Sequence, residues 1–145
     1  MVGPRRKIGR SFQVAGLFAG IGGIELGLAK AGHSTTLLCE NDPSANAVLD
    51  AHFPGVARSN DVRTLRDLPK GTDLLTAGFP CQDLSQAGST RGIEGDKSGL
   101  VTHVFRLLKK HEVPWVLIET GPFMVGLGRG AAMDYITAKL DRLGY

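Results

Sequence analysis

Cysteine is scarce in this chain, and long apolar runs are missing from it. The two cysteines, Cys39 and Cys81, are too few for a disulfide framework and have no metal-ligand spacing, so both are predicted to be reduced thiols. No apolar run approaches the roughly 18 residues that a membrane span needs. The basic N-terminus has no apolar segment behind it of the kind that a secretory signal requires. We therefore expect a cytoplasmic protein with no bound metal and no membrane contact.

Internal repeats, low-complexity tracts and domain linkers are missing as well. The 145 residues amount to one domain, which is large enough to bury a hydrophobic core. Residues 1–10 are predicted to be a basic N-terminal extension, followed by a globular unit over residues 11–145. The net charge of +3 is compatible with a polyanionic partner, but many proteins without such a partner have a similar charge.

What the chain does contain is a regular alternation of strand and helix patterns. Strands are predicted at 12–18, 34–40, 56–57, 72–77 and 115–118, the last two of them buried, with helices starting after Gly23, at Pro43, at Leu100 and near Met133. This alternation predicts an α/β fold, a doubly wound, mostly parallel sheet of about five strands joined by right-handed crossovers. Ligands of such sheets bind beyond the carboxyl ends of the strands, so the side chains there are candidates for a site.

The residues at the ends of the first three strands predict a site for a nucleotide-like cofactor. A glycine-rich turn at 19–23 joins the first strand to its helix, where the backbone can approach a ligand closely. Glu40 lies about 20 residues beyond Gly20 and suits ribose hydroxyls, while Asp61 after the third strand suits an exocyclic amine. The turn is shorter than the G-x-G-x-x-G fingerprint and leaves less room for a pyrophosphate. The alternative is a structural turn beside two solvated carboxylates.

Cys81 and Glu119 are the candidates for chemistry. Cys81 follows the fourth strand, and a thiol there becomes a nucleophile when backbone N–H groups or a nearby cation stabilise its thiolate. Glu119 ends the neighbouring strand, and shielding from water would raise its pKa and suit it to act as a general acid. Taken singly, each has a structural alternative, an inert buried cysteine or a carboxylate that caps a turn. Cys39, placed in the middle of an apolar strand, is predicted to be inert.

These motifs, taken in order and spacing, resemble those of the DNA cytosine-5 methyltransferases. The matching segments span most of the chain: 17–23, Glu40, 60–62, 78–82, 98–100 and 118–119. The resemblance implies S-adenosyl-L-methionine as the cofactor and double-stranded DNA as the substrate. The residues that it implies for cofactor binding are Phe18, Ala19, Gly20, Ile21, Gly22, Gly23, Glu40, Asn41, Asp61, Val62, Pro80 and Leu100.

The resemblance also implies a role for each part of the site. Glu40 would bind the ribose hydroxyls, and Asp61 with Val62 would bind the adenine. The Cys81 thiolate would attack carbon 6 of a cytosine flipped out of the duplex, while protonated Glu119 hydrogen-bonds ring nitrogen 3. The segment 83–97 resembles the loop that closes over DNA in the family.

Two departures from the family pattern lead to further expectations. The family has Glu-Asn-Val where this chain has Glu119-Thr120-Gly121, and threonine lacks the paired donor and acceptor of an amide, which leaves reduced or absent activity as an alternative. The chain also lacks the family's later strands, recognition domain and closing helix, so residues 11–145 correspond to the N-terminal part of the catalytic domain. The apolar strand 115–118 would then be an exposed edge, which predicts pairing with a second polypeptide or with another copy.

Three other functions fit parts of the sequence. A related transferase that acts on tRNA would share these motifs, and the segment that would decide is absent. A non-catalytic remnant that binds only cofactor or a partner is favoured by Thr120 and by the missing segments. A dinucleotide oxidoreductase would share the glycine turn and Glu40, but it leaves 80–82 unexplained.

Overall fold

The structure of the protein is a computed structural model, which describes residues 9–78, 99–122 and 130–145. Strands and helices alternate along the chain as the sequence predicts. Their bounds are β1 Gln13–Leu17, α1 Gly23–Lys30, β2 Ser34–Cys39, α2 Pro43–His52, β3 Ala57–Ser59, β4 Leu74–Gly78, α3 Leu100–Lys110, β5 Trp115–Glu119 and α4 Ala131–Arg142.

The strands form one parallel sheet in the order β3-β2-β1-β4-β5. β1 pairs with β2 and β4, β2 pairs with β3, and β4 pairs with β5. The chain moves outward from β1 in one direction through β2 and β3, and in the other direction through β4 and β5. The order therefore reverses between β1 and β4, which is where doubly wound sheets bind ligands. The predicted fold class is confirmed.

Helix α2 begins where the sequence predicts it. The Asp42 carboxylate accepts a 2.7 Å hydrogen bond from the Ala45 N–H, and Pro43 is the first residue of the helix. This cap satisfies one of the N–H groups that the first turn leaves without a helical partner, and proline has no N–H to leave unpaired there. The cap fixes where the chain leaves β2, and therefore where Glu40 lies.

A hydrophobic cluster fills the face of the sheet under α3 and α4. It joins alternate residues of the central strands to the inner sides of these two helices. Each fully buried aliphatic side chain of this kind stabilises the fold by roughly 1.5–3 kcal/mol. Its members include Ala15, Leu17, Leu75, Ala77, Val101, Val104, Leu107, Leu108, Ala132 and Ile136.

Strand β5 is less buried than the sequence predicts. Val116 and Ile118 pack against the hydrophobic cluster, but Trp115 is 59% exposed and Leu117 is 42% exposed. β5 is the edge strand of the described sheet, and the described residues cover only one of its faces. The prediction of a buried strand is therefore wrong for this face, whereas the prediction of an exposed apolar edge is consistent with these exposures.

Two smaller differences concern strand ends. β3 begins one residue later than predicted and extends to Ser59, and β2 ends at Cys39, so Cys39 is the last residue of its strand and not a central one. In the described ranges, no helix combines the length and the apolar character needed to cross a membrane.

Candidate active site

The carboxyl ends of four strands meet at one edge of the sheet. Leu17 at the end of β1 is in register with Cys39 of β2 and with Ala77 of β4, and Gly78 is in register with Glu119 of β5. The carboxyl ends of these strands therefore lie side by side, as expected for neighbouring strands of a parallel sheet. The switch point between β1 and β4 lies in the middle of this edge.

The turn after β1 has a backbone shape that few residues adopt. Phe18 is a non-glycine residue with a φ of 53°, a conformation that costs of order 1–3 kcal/mol and is found preferentially at functional sites. Gly20 has a φ of 55° and open space where a Cβ would lie. Gly22 has a φ of 83°, and a Cβ there would come within 2.5 Å of Phe53 and 2.8 Å of Leu49. Gly22 therefore serves the packing of this turn against α2.

The Glu40 carboxylate ties the glycine turn to the end of β2. Its Oε2 accepts a 2.7 Å hydrogen bond from the Gly20 N–H, and its Oε1 accepts bonds of 2.9 and 2.8 Å from the N–H groups of Asn41 and Asp42. A carboxylate has about four acceptor positions. Three are used here, so Oε2 retains one position for a hydroxyl of a ligand.

A cleft of about 190 Å³ opens beside this turn, at the ends of β2 and β3. It contains six of the predicted cofactor residues together with three others: Phe18, Glu40, Asn41, Asp61, Val62 and Leu100, with Cys39, Asn60 and Arg63. The turn residues 19–23 do not belong to the described lining of the cleft, and Pro80 lies outside the described residues. Small-molecule sites usually measure about 300–1,000 Å³, so the cleft is smaller than a typical complete site.

Cys39 contributes an unreactive wall to the cleft. It is 2% exposed, and its burial raises the pKa of the thiol to about 11. The thiol is therefore protonated near neutral pH and is a poor nucleophile. The prediction that Cys39 is inert agrees with this environment, although its place at the strand end was not predicted.

Asp61 is paired with Arg63, which the sequence analysis did not select. The Asp61 carboxylate accepts hydrogen bonds from the Arg63 N–H at 2.8 Å and from its Nε at 3.0 Å, and Arg63 Nη2 lies 2.8 Å from Asp61 Oδ2. The bonds from the Arg63 side chain are the main reason why the pKa of Asp61 is below its ordinary value. An aspartate that bonds the N–H two residues on is a common turn, and that spacing was the available signal.

Arg106 of α3 is hydrogen-bonded to the turn after β3, which carries Asp61 and Val62 and forms one wall of the cleft. Its Nη2 donates to the Val62 carbonyl oxygen at 3.1 Å and to the Leu65 carbonyl oxygen at 2.7 Å. Leu100, at the start of the same helix, lines the cleft with Val62. Arg106 therefore fixes the turn after β3 relative to the helix.

Glu119 lies at the end of β5, beside the end of β4. Its Oε2 would be 3.3 Å from a Cβ placed on Gly78. Glu119 is exposed among the described residues, so the shielding expected for a general acid is not supplied by them. Thr120 follows, and its Oγ1 is buried without a hydrogen-bond partner among the described residues. Cys81 and the loop 83–97 lie outside the described residues.

A buried acid, Glu25, was missed by the sequence analysis. It is 1% exposed in the first turn of α1, and its Oε1 accepts a 2.7 Å hydrogen bond from the Thr76 hydroxyl on β4. A Cβ on Gly16 would lie 2.4 Å from the same oxygen. A glycine within a strand often marks such a close approach, so Gly16 was the signal that could have found it. Across the described residues, no group of three acidic, histidine or cysteine side chains is placed to hold a metal ion.

Comparisons with known proteins identify relatives of this chain. Residues 12–145 match the family described as C-5 cytosine-specific DNA methylase. The chain is 54% identical over 137 residues to the Type II methyltransferase M2.BsuMI of Bacillus subtilis, covering 92% of this chain and 35% of that protein. It is 36% identical over 138 residues to M.CviJI of Paramecium bursaria Chlorella virus IL3A, covering 93% of this chain and 36% of that protein.

Solved structures with the same fold are also found. A putative DNA modification methyltransferase encoded within an Escherichia coli prophage superposes with a TM-score of 0.63 at 26% identity, over 88% of this chain and 38% of that one. The Dnmt2 methyltransferase of S. pombe superposes with a TM-score of 0.68 at 22% identity, over 90% of this chain and 42% of that one, and shows the fold alone.

The fold and the strand-end site define an α/β methyltransferase of the class that uses S-adenosyl-L-methionine. Within that class, the chain belongs to the C-5 cytosine-specific DNA methylase family. It spans about a third of the length of the curated relatives it matches, 35% of M2.BsuMI and 36% of M.CviJI. The resemblance stated from the motifs is confirmed.

Proposed function

We propose that this chain forms the cofactor-binding and nucleophile-bearing part of an enzyme that methylates carbon 5 of cytosine in DNA. The observation that carries the proposal is the meeting of the strand ends. The cleft lies beside Glu40 and Asp61, at the same edge of the sheet as the paired residues Gly78 and Glu119. From Gly78 the chain continues to Cys81. The family membership of the chain supports this reading.

The described residues fit S-adenosyl-L-methionine, which supplies an electrophilic methyl group when it is bound. Glu40 has one acceptor position left for a ribose hydroxyl, because three N–H groups occupy the others. Phe18, Val62 and Leu100 would provide apolar contact to the adenosine. The open side of Gly20 leaves room for a ligand to approach the backbone, as we propose for the turn 19–23 and for Asn41. Pro80 is proposed from the motif alone.

The chemistry is assigned to Cys81 and Glu119. The Cys81 sulfur forms a bond to carbon 6 of the flipped cytosine while Glu119 donates a proton to ring nitrogen 3, so the added electron pair makes carbon 5 nucleophilic. After methylation, carbon 5 loses its proton, the sulfur leaves carbon 6, and the ring returns its proton from nitrogen 3. Because Glu119 is exposed here, DNA and the remaining part of the enzyme would shield it from water.

The edge of β5 is proposed to receive the remaining part of the catalytic unit. Trp115 and Leu117 are exposed on a parallel strand, and parallel strands are usually covered on both faces. A further strand beside β5 would also lie next to Glu119. Residues 11–145 would then be the N-terminal part of the catalytic domain, and a second polypeptide or another copy is proposed as the source of that strand. An enzyme with this substrate would work in the cytoplasm with the DNA.

A non-catalytic binding role is the second candidate, and Thr120 is the observation that favours it. Its buried hydroxyl, next to the proposed acid, has no hydrogen-bond partner in residues 9–78, 99–122 and 130–145. A site that has lost its catalytic constellation can still bind the cofactor. Both candidate functions predict that the cofactor binds, but only the enzyme function predicts methyl transfer.

A hybrid enzyme tests the proposed function. The chain replaces the segment of M2.BsuMI to which it is 54% identical, and transfer of a labelled methyl group from S-adenosyl-L-methionine to DNA is measured. We expect transfer, and Glu119→Gln should reduce its rate by about 100-fold or more, because general acid catalysis contributes about 10²–10⁴-fold. Lys109→Gln, an exposed change on α3, is the control. A folded hybrid that binds S-adenosylhomocysteine but transfers no methyl group would favour the binding role.

A further inference from the structure

Arg63 lies against both oxygens of the Asp61 carboxylate in this structure. Oδ1 accepts from the Arg63 N–H at 2.8 Å and from Arg63 Nε at 3.0 Å. Oδ2 accepts from the same Nε at 3.0 Å and lies 2.8 Å from Nη2. The single Nε hydrogen is shared between the two oxygens, so the guanidinium spans both of them. An exocyclic amine that approaches the carboxylate from the side of the guanidinium therefore competes with Arg63 for the same oxygens.

The main chain around Asp61 is held independently of this ion pair. The Asp61 carbonyl oxygen accepts from the Thr64 hydroxyl at 3.1 Å and from the Leu65 N–H at 3.1 Å. Arg106 binds the next carbonyl oxygen, that of Val62, at 3.1 Å. The turn can therefore keep its place while the Arg63 side chain leaves, so the exchange does not require the cleft wall to move.

The Arg63 side chain is held by little else. It is 63% exposed, and within the described residues its guanidinium bonds only to Asp61. Exposed ion pairs are weak because water solvates both partners after they separate. Arg63 and Asp61 both line the cleft, so the guanidinium lies where a ligand of that carboxylate would bind.

We propose that Arg63 is a specificity-determining residue, whose guanidinium occupies Asp61 until the exocyclic amine of the purine displaces it. The inference rests on the proposed function, in which Asp61 faces the adenine of the cofactor. It assigns Arg63 a position inside the purine site, and not only the role of a surface ion pair.

Purine selectivity follows from the donor inventory of arginine. A guanidinium has only N–H donors, so it competes with a 6-amino group for Asp61. A 6-oxo group is an acceptor, and it can take a hydrogen bond from Arg63 without displacing it. Arg63 therefore weakens the binding of a 6-aminopurine and supports the binding of a 6-oxopurine, which makes the site less selective than Asp61 alone would be.

Calorimetry with two ligands tests this role. S-adenosylhomocysteine carries the 6-amino group, and S-inosylhomocysteine carries the 6-oxo group. Arg63→Met keeps the apolar stem, and we expect it to bind S-adenosylhomocysteine about twofold to fivefold more tightly than the original chain does. The preference for the amino over the oxo ligand should rise by about tenfold, because a lone carboxylate leaves a 6-oxo group without a donor.

Controls separate this proposal from the one on which it rests. Lys109→Met, at an exposed position of α3, should change neither affinity. Arg63→Lys keeps the charge but cannot span both oxygens of Asp61. Its affinity for each ligand should fall between that of the original chain and that of Arg63→Met. Equal, weaker or undetectable binding of S-adenosylhomocysteine by folded Arg63→Met overturns the role of Arg63. If Asp61→Asn weakens the binding of S-adenosylhomocysteine, the proposed site for adenine stands. If Asp61→Asn leaves that binding unchanged, the proposed site itself fails.

Discussion

At the scale of single residues, we expect the two cysteines to differ in their reactivity toward a thiol reagent. Cys39 is 2% exposed, and burial raises the pKa of its thiol to about 11. At about pH 8 an unperturbed thiol with a pKa near 8.5 is partly thiolate, but Cys39 is almost entirely protonated. We therefore expect iodoacetamide to modify one thiol of the folded chain, in the peptide that contains Cys81. Mass spectrometry of a proteolytic digest identifies the modified residue.

The control for this labelling is Cys81→Ser, which should leave the folded chain almost unmodified until a denaturant exposes Cys39. Modification of Cys39 in the folded chain at a rate similar to that of Cys81 would contradict the inert role given to Cys39. It would also show that the end of β2 opens to the reagent.

Thr120 gives a prediction about stability. Its Oγ1 is buried and has no hydrogen-bond partner within the described part of the chain, and such a group costs about 1–3 kcal/mol. Thr120→Val keeps the shape and removes the hydroxyl, so we expect the free energy of unfolding to rise by about 1 kcal/mol in urea titrations. The same change at Thr76 is the matched control, because that hydroxyl donates to Glu25 and its loss should destabilise the chain. A loss of stability in Thr120→Val would contradict the burial of an unpaired hydroxyl.

The sequence predicts residues whose positions follow from a strand end. Glu40, Asp61 and Leu100 each follow or begin an element, and all three line the cleft. Arg63 and Glu25 were not predicted, because their partners depend on the folded geometry. Glu25 is an acid on a helix, where hydrophobic periodicity places a polar residue in water, and only the absence of a side chain at Gly16 lets it be buried.

At the scale of elements, strand β5 carries the most direct prediction. It is the edge strand of the described sheet, and Leu117 is 42% exposed on its uncovered face. Exposed apolar edges promote association, and a lysine on the edge opposes it. We therefore expect Leu117→Lys to shift the chain toward monomer in sedimentation at high concentration.

Met133→Lys is the matched control, because Met133 is also exposed, at 36%, but lies on α4. It should leave the sedimentation profile unchanged. If the original chain is already a monomer and the β5 amides are protected from hydrogen exchange, the proposal that this edge receives another strand fails.

Element positions were predictable where local chemistry sets them. Asp42 and Pro43 mark the start of α2, and the structure has the expected cap. Which faces of β5 are covered was not predictable in the same way, since the apolar run 115–118 looks the same whether one face or both are covered. The burial of a strand depends on which elements pack on the sheet, and that information is not local.

At the scale of the whole molecule, fold and family follow from the order of motifs more than from composition. The glycine turn, Glu40, the segment around Asp61 and the end of β4 keep their order, and the parallel sheet brings them to one edge. The family match over residues 12–145 agrees with that order. The chain spans 35% of the length of M2.BsuMI.

The measurement that tests the central claim most directly is the trapping of a covalent adduct at Cys81. The hybrid of this chain with the remainder of M2.BsuMI is incubated with S-adenosyl-L-methionine and DNA that carries 5-fluorocytosine. Because fluorine cannot leave carbon 5 as the proton does, the sulfur stays bound to carbon 6 after methylation. We predict an adduct that resists denaturation, maps to Cys81 in the digest and is lost in Cys81→Ser. A folded, cofactor-binding hybrid that forms no adduct, or one that forms it at another residue, would contradict the account.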